Sequence, residues 1–177
     1  MNFSTIELKE LACFIHDALK NQGIDAILVG GACVSIYSHN RYQSYDLDFV
    51  TYEDLKLIEK VLSKFGFKRL GRCFSHSDCP YLIDFVNPPV AIGKASIRSF
   101  ETLNTPMGSL QLLTPTDCVK DRLSSYIHWD DQQALEQALL VAEEHPINLQ
   151  EILDWAKGEG HYEKKIDTFL KKLKRKS

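Results

Sequence analysis

At Thr114 the sequence changes period. Before it, short apolar runs of strand length alternate with stretches whose apolar residues recur three and four apart; after it, the helical spacing continues to the end. A chain ordered this way is confined to a mixed sheet with helices packed on it, followed by helices alone. The expected class is therefore α+β, a mixed β-sheet core with flanking helices over residues 1–113 and a C-terminal helical segment over 114–177. With 44% hydrophobic and 25% charged residues among 177, such a core is within reach and disorder is not expected.

The individual elements follow from the pattern. Leu8, Leu11, Ala12, Ile15, Ala18 and Leu19 predict an amphipathic helix over residues 4–21, ended by Gly23. Ala26–Val29 reads as a strand running into Gly30-Gly31, and residues 31–38 as a short helix. Asp46–Val50 is a second strand. Thr51 with Asp54 resembles a capping box for a helix carrying Leu55, Ile58, Leu62 and Phe65 on one face, with Gly66 as its stop. Residues 67–74 and 80–87 predict an antiparallel pair around Ser75–Asp78, ended by Asn87-Pro88-Pro89. Residues 90–108 predict short strands around Ile97 and a turn at Pro106-Met107-Gly108; Ser109–Leu113 is a last strand. Thr114-Pro115-Thr116-Asp117 is a strong helix start, and helices are expected over 115–127, 131–144, 149–157 and 162–174.

Three acids stand out against this background. Side chains alternate across a strand, so Asp46 and Asp48 share one face while Leu47 and Phe49 take the other. Asp84 lies inside the apolar run Tyr81–Val86, where an acid is costly without compensation. If the two strands are neighbours, three carboxylates converge and repel, and a cation would keep them ionised. Magnesium takes oxygen ligands and commonly combines a few carboxylates with substrate phosphates. Taken alone, Asp-x-Asp equally describes solvated acids at a strand end.

Upstream, Ile27-Leu28-Val29-Gly30-Gly31-Ala32 ends a strand in two glycines and opens a helix. Glycine lets a phosphate approach the backbone, and the opening helix presents unpaired N–H groups; a simple tight turn would use the same residues. The spacing is neither that of a dinucleotide fingerprint nor that of a Walker loop, and Gly93-Lys94-Ala95-Ser96 lacks the preceding glycines as well.

Taken together, strand-Gly-Gly-helix, then Arg41-Tyr42-Gln43-Ser44-Tyr45-Asp46-Leu47-Asp48-Phe49, then an acid in a later strand resembles the nucleotidyltransferases of the polymerase-beta superfold. Ser44 fills the polar position two before Asp-x-Asp, and Asp84 that of the third carboxylate. Leu113–Leu123 looks like the segment after the last strand in the abortive-infection-type (AbiEii-like) toxin subfamily, with Lys120 matching a lysine that contacts the triphosphate. The likeness spans roughly residues 25–140.

It implies a nucleoside triphosphate substrate and two magnesium ions on Asp46, Asp48 and Asp84. Asp84 would also act as general base, Gly30, Gly31 and Ser44 would contact phosphates, and Lys120 would neutralise triphosphate charge. The acceptor is left open among a tRNA end, a protein hydroxyl and a small molecule, and an antitoxin partner would accompany a toxin. The subfamily's further Asp-x-x-Asp is not matched: the corresponding stretch is Ala134-Leu135-Glu136-Gln137, with Asp130, Asp131 and Glu136 as the nearest substitutes. A catalytically silent nucleotide-binding or regulatory protein is the alternative that this departure leaves standing.

Other features are weaker. Cys73, His76 and Cys79 have spacing that could hold zinc, but no fourth ligand is evident. Cys33 follows the glycines, where a helix start would lower its pKa, but no histidine partner is identifiable. His128-Trp129-Asp130 could line a pocket or pack between helices. The basic end Lys171–Lys176 suits either RNA phosphates or a solvated helix terminus. The odd count of five cysteines favours reduced thiols, and with no signal-like or membrane-spanning apolar run a cytoplasmic location without membrane partners is expected. A net charge of -3 excludes a globally basic surface.

Overall fold

The structure is a computed structural model and describes residues 2–160 and 162–176. Helix α1 (Leu8–Lys20) leads into β1 (Ile27–Val29), α2 (Gly31–Tyr37) and β2 (Asp46–Val50). Helix α3 (Leu55–Leu62) ends in a 3₁₀ turn over Ser63–Phe65. Five short strands follow: β3 (Lys68–Leu70), β4 (Cys73–Ser75), β5 (Leu82–Val86), β6 (Ala91–Ile92) and β7 (Ala95–Ser96). The longer β8 (Phe100–Thr105) and β9 (Gly108–Leu113) form a hairpin, and α4 (Pro115–Trp129), α5 (Gln132–Glu144), α6 (Leu149–Ala156) and α7 (Glu163–Lys176) complete the chain. The fold is α+β, as the change of period at Thr114 predicts.

Seven strands form one mixed sheet in the order β3-β4-β5-β2-β1-β9-β8. Strand β2 at its centre runs antiparallel to β1 and parallel to β5, and β1 runs parallel to β9. Alternation sorts the side chains: Leu28, Leu47, Phe49, Ile83, Phe85 and Leu112 are buried on one face, in a single core with Leu11, Ile15 and Leu19 of α1. Burying side chains of this size contributes roughly 1.5–3 kcal/mol each. The core continues through Cys118, Val119 and Leu123 of α4 and Leu135, Ala138 and Leu139 of α5, so the helical segment packs on the same body. Its cap forms as expected, with the Thr114 hydroxyl accepting from Asp117 N–H at 3.1 Å.

Two local expectations differ. Residues 67–74 are a β3–β4 hairpin and not one strand. Gly71, at φ +67°, allows the reversal and sets Arg72 at its tip. Helix α3 is capped by Asp54, which accepts from Lys56 N–H at 2.6 Å, while the Thr51 hydroxyl donates to Asp25 O at 2.7 Å. Among the described residues no helix is long and apolar enough to cross a membrane.

Candidate active site

Strands β2 and β5 bring the acids together. Their parallel register pairs Asp48 with Asp84 and Asp46 with Leu82, so Asp46, Asp48 and Asp84 all lie on the sheet face opposite the core. Chain connectivity makes this possible because α3 and the β3–β4 hairpin form the long crossover that two parallel neighbours need.

The glycine turn closes against the same point. Gly30 has φ +71°, and a Cβ built on it would lie 2.7 Å from Asp48 Oδ2. Glycine is therefore required there twice over, by the backbone and by the carboxylate. A Cβ on Gly31 would meet Ser44 Oγ at 3.3 Å and Tyr42 OH at 3.4 Å. Ser44 is tied into the start of β2: its hydroxyl donates to Asp46 O at 3.0 Å and accepts from Asp46 N–H at 3.3 Å, while its own N–H donates to Ser35 Oγ at 2.8 Å. The serine thus orients the backbone that carries the first acid.

Electrostatics at the cluster are unfavourable as the protein stands. Burial pushes the Asp48 carboxyl up to about 6, reinforced by Asp84, Asp46 and Asp121, with Arg122 acting the other way. Asp84 is 92% buried by residue, 8% remaining exposed. Its Oδ2 accepts from Arg72 at 2.9 Å, whereas its buried Oδ1 has no hydrogen-bond partner. An orphaned buried oxygen of this kind is costly and points to a group the site is built to receive.

The donor chemistry of Asp46, Asp48 and Asp84 fits magnesium, since all three offer carboxylate oxygens; the Cys73 thiol, opposite Asp84 in the register, stands beside them. Among the described residues no three His, Cys, Asp or Glu side chains stand close enough to grip a single ion. Substrate phosphates would complete the coordination, which is magnesium's usual habit.

The structure places the remaining sequence candidates elsewhere. Lys120 is 5% exposed and donates to Asp117 Oδ1 at 3.0 Å and to Glu151, tying α4 to α6. The cation in the field of Asp48 is instead Arg122, paired with Asp121 and donating to Gln137 Oε1 at 3.3 Å. Asp121, Arg122 and Arg72 are thus site residues that the sequence reading passed over. Asp131 caps α5 by accepting from Ala134 N–H at 3.0 Å, Asp130 pairs with Lys165, and Glu136 pairs with Lys172.

All five cysteines are free, and His76 packs against the Phe3 and Phe67 rings. Cys33 does not gain from the helix start: burial raises its pKa, and its thiol donates to Leu28 O at 3.3 Å. Trp129 is 83% exposed, neither lining the acids nor packing between helices.

No family model matches the sequence, and no curated protein matches it. Solved structures do share its fold. An antigenic nucleotidyltransferase-like protein from Paracoccidioides brasiliensis superposes with a TM-score of 0.63 at 16% identity, over 96% of this chain and 94% of that one. ANT(2")-Ia, crystallised in complex with adenylyl-2"-tobramycin, superposes with a TM-score of 0.52 at 10% identity, over 82% of this chain and 91% of that one. The chain therefore has the fold of nucleotidyltransferase-like proteins.

Proposed function

We propose that this protein is a magnesium-dependent nucleotidyltransferase that moves a nucleoside monophosphate from a triphosphate to a hydroxyl acceptor. The observation that carries the reading is the pairing of Asp48 with Asp84 across two parallel strands, on the same face as Asp46 and against Gly30. A cluster of like charges that destabilises the empty protein is explained by a cationic ligand that it binds. The shared fold with a nucleotidyltransferase-like protein, and with a protein crystallised with adenylyl-2"-tobramycin, supports the same reading.

Asp48 and Asp84, paired across the strands with Asp46 on the same face, would offer magnesium carboxylate oxygens, and the triphosphate rather than a third carboxylate would complete the coordination of each ion. The bound metal supplies neutralisation of the phosphate charge and stabilisation of the leaving pyrophosphate. The chain's own groups do the rest. The missing Cβ atoms of Gly30 and Gly31 leave room for phosphate oxygens beside Asp48. Ser44 keeps Asp46 in position through its two bonds to the Asp46 backbone. Arg122 favours the ionised form of Asp48. Asp84 accepts the proton of the acceptor hydroxyl; the freed oxygen attacks the α-phosphorus, and the bond to pyrophosphate breaks.

The test is incubation with each α-labelled ribonucleoside triphosphate, magnesium and a cell extract, followed by identification of the labelled product. Label should pass to an acceptor, and Asp46→Asn and Asp48→Asn should abolish transfer while the far-ultraviolet circular dichroism stays native. Undiminished transfer by both variants removes the metal role. One observation favours a silent nucleotide binder: Arg72 already occupies the third acid. Calorimetric binding of a non-hydrolysable triphosphate without transfer to any acceptor would establish that alternative.

A further inference from the structure

Arg72 and Asp84 form an ion pair of unequal partners. The acid's side chain is 12% exposed and held by the rigid register of β5; the guanidinium is 65% exposed, on the turn that Gly71 creates between β3 and β4. The backbone at Arg72 is fixed, since Phe85 N–H donates to Arg72 O at 3.4 Å. The side chain, largely exposed, is the part that can move. Its contact with the carboxylate is a single one of 2.9 Å to Oδ2 and leaves Oδ1 unbonded by it, although a guanidinium and a carboxylate are shaped for two parallel bonds; the Cys73 thiol, opposite Asp84 in the register, lies within hydrogen-bonding reach of both. The pairing is therefore incomplete, and it is made by a cation that water can reclaim.

From this geometry we infer that Arg72 is a placeholder cation. It screens Asp84 from Asp48 and Asp46 in the empty protein and is displaced from Oδ2 when a divalent ion reaches the cluster. The inference rests on the transferase reading of the site and adds to it a residue that sets the metal requirement. Physical necessity argues for such a residue. Asp84 lies opposite Asp48 in the register, and two unscreened carboxylates at that spacing repel in a partly desolvated setting. An exposed arginine lowers that repulsion at little cost, and its release frees the remaining guanidinium donors for an incoming phosphate. A buried lysine could not leave so readily; Lys120, locked between Asp117 and Glu151, shows the contrast within the same molecule.

The experiment measures Mn2+ and Mg2+ binding by calorimetry, without nucleotide, on the full-length protein and on Arg72→Ala, Arg72→Lys, Asp84→Asn and the double variant Arg72→Ala/Asp84→Asn. Arg72→Ala should bind the divalent ion about fivefold more tightly, the size expected for losing one exposed competitor of a carboxylate. Its melting temperature without metal should fall, and it should rise further than the wild type's on adding metal. Arg72→Lys, which keeps the charge, should return the affinity toward wild type. In the Asp84→Asn background the Arg72→Ala effect on affinity should vanish, an outcome that a merely structural arginine would not produce. Wild-type binding with Arg72→Ala unchanged or weaker overturns the placeholder role and leaves the transferase reading intact. Absence of divalent binding to every protein, with and without triphosphate, overturns both.

Discussion

Strands β2 and β5 carry two molecules' worth of opposing demands on alternate residues. On one face Leu47, Phe49, Ile83 and Phe85 are buried against the helices, and the Phe49 and Phe85 rings stack with centroids 5.9 Å apart. On the other, displaced by a single residue, Asp46, Asp48 and Asp84 share a face on which burial and the two neighbouring acids oppose the ionisation of Asp48. Because the side-chain period is two, the same backbone hydrogen bonds serve both faces, and no slip of register could mix them without reversing every side chain. The comparison teaches that the apolar face fixes where the acids stand, and that its stability is what lets the acidic face remain strained.

The largest effect should come from breaking the apolar face. Phe49→Ala removes a ring with no exposed surface and should destabilise the fold by about 3–5 kcal/mol, read from chemical denaturation. A loss smaller than one of those kilocalories would show that the face is loosely packed and not the frame for the acids. Next is Lys120→Ala, which leaves Asp117 buried with only its bonds around Thr114. We expect about 2–4 kcal/mol of lost stability, with the triphosphate KM unchanged. A raised KM at native stability would return Lys120 to the triphosphate role that the sequence likeness gives it. Gly30→Ala attacks the junction of the two faces, where a methyl group would meet Asp48 Oδ2 and the backbone would be held at a positive φ. A loss of about 1–3 kcal/mol together with loss of transfer is expected, and native activity would show that Asp48 has room to move aside.

The distinction between the faces was legible in the sequence because alternation is a local property. Asp46 and Asp48 could be assigned to one side from their spacing alone, and Asp84 drew attention as an acid within an apolar run. Their meeting was not local: it depends on β2 lying beside β5, a pairing set by a crossover of more than thirty residues. Arg72 escaped notice because Gly71 read as part of one strand, although a glycine inside a strand pattern is itself a signal for a bend. The cation on α4 shows a different limit. At 3.6 residues per turn, Lys120 and Arg122 point about 200° apart, so at most one can face the acids. Only the rotation of α4 in the packed molecule decides between them, and it turns Lys120 to Glu151 and Arg122 to the side of Asp48.

The smallest effect tests the strained face directly and runs opposite in sign to the others. Asp48 has its folded-state pKa raised from 3.8 to about 6, burial being the first cause and Asp84 the second. Between those two values the folded protein binds more protons than the unfolded chain, so stability should fall as pH rises through the interval and stay low above it. Asp48→Asn cannot ionise and should lose that part of the pH dependence. Near neutral pH and without divalent ions it should be more stable than wild type by about 1–2 kcal/mol, a figure reduced for the exposed part of the side chain. Denaturation curves collected across the interval provide the measurement. A variant less stable than wild type near neutrality would mean that Asp48 is stabilised by a partner and not strained by its neighbours. A more stable but inactive variant would mean that the acid is kept against the interest of the fold, which a surface carboxylate without a task would not be.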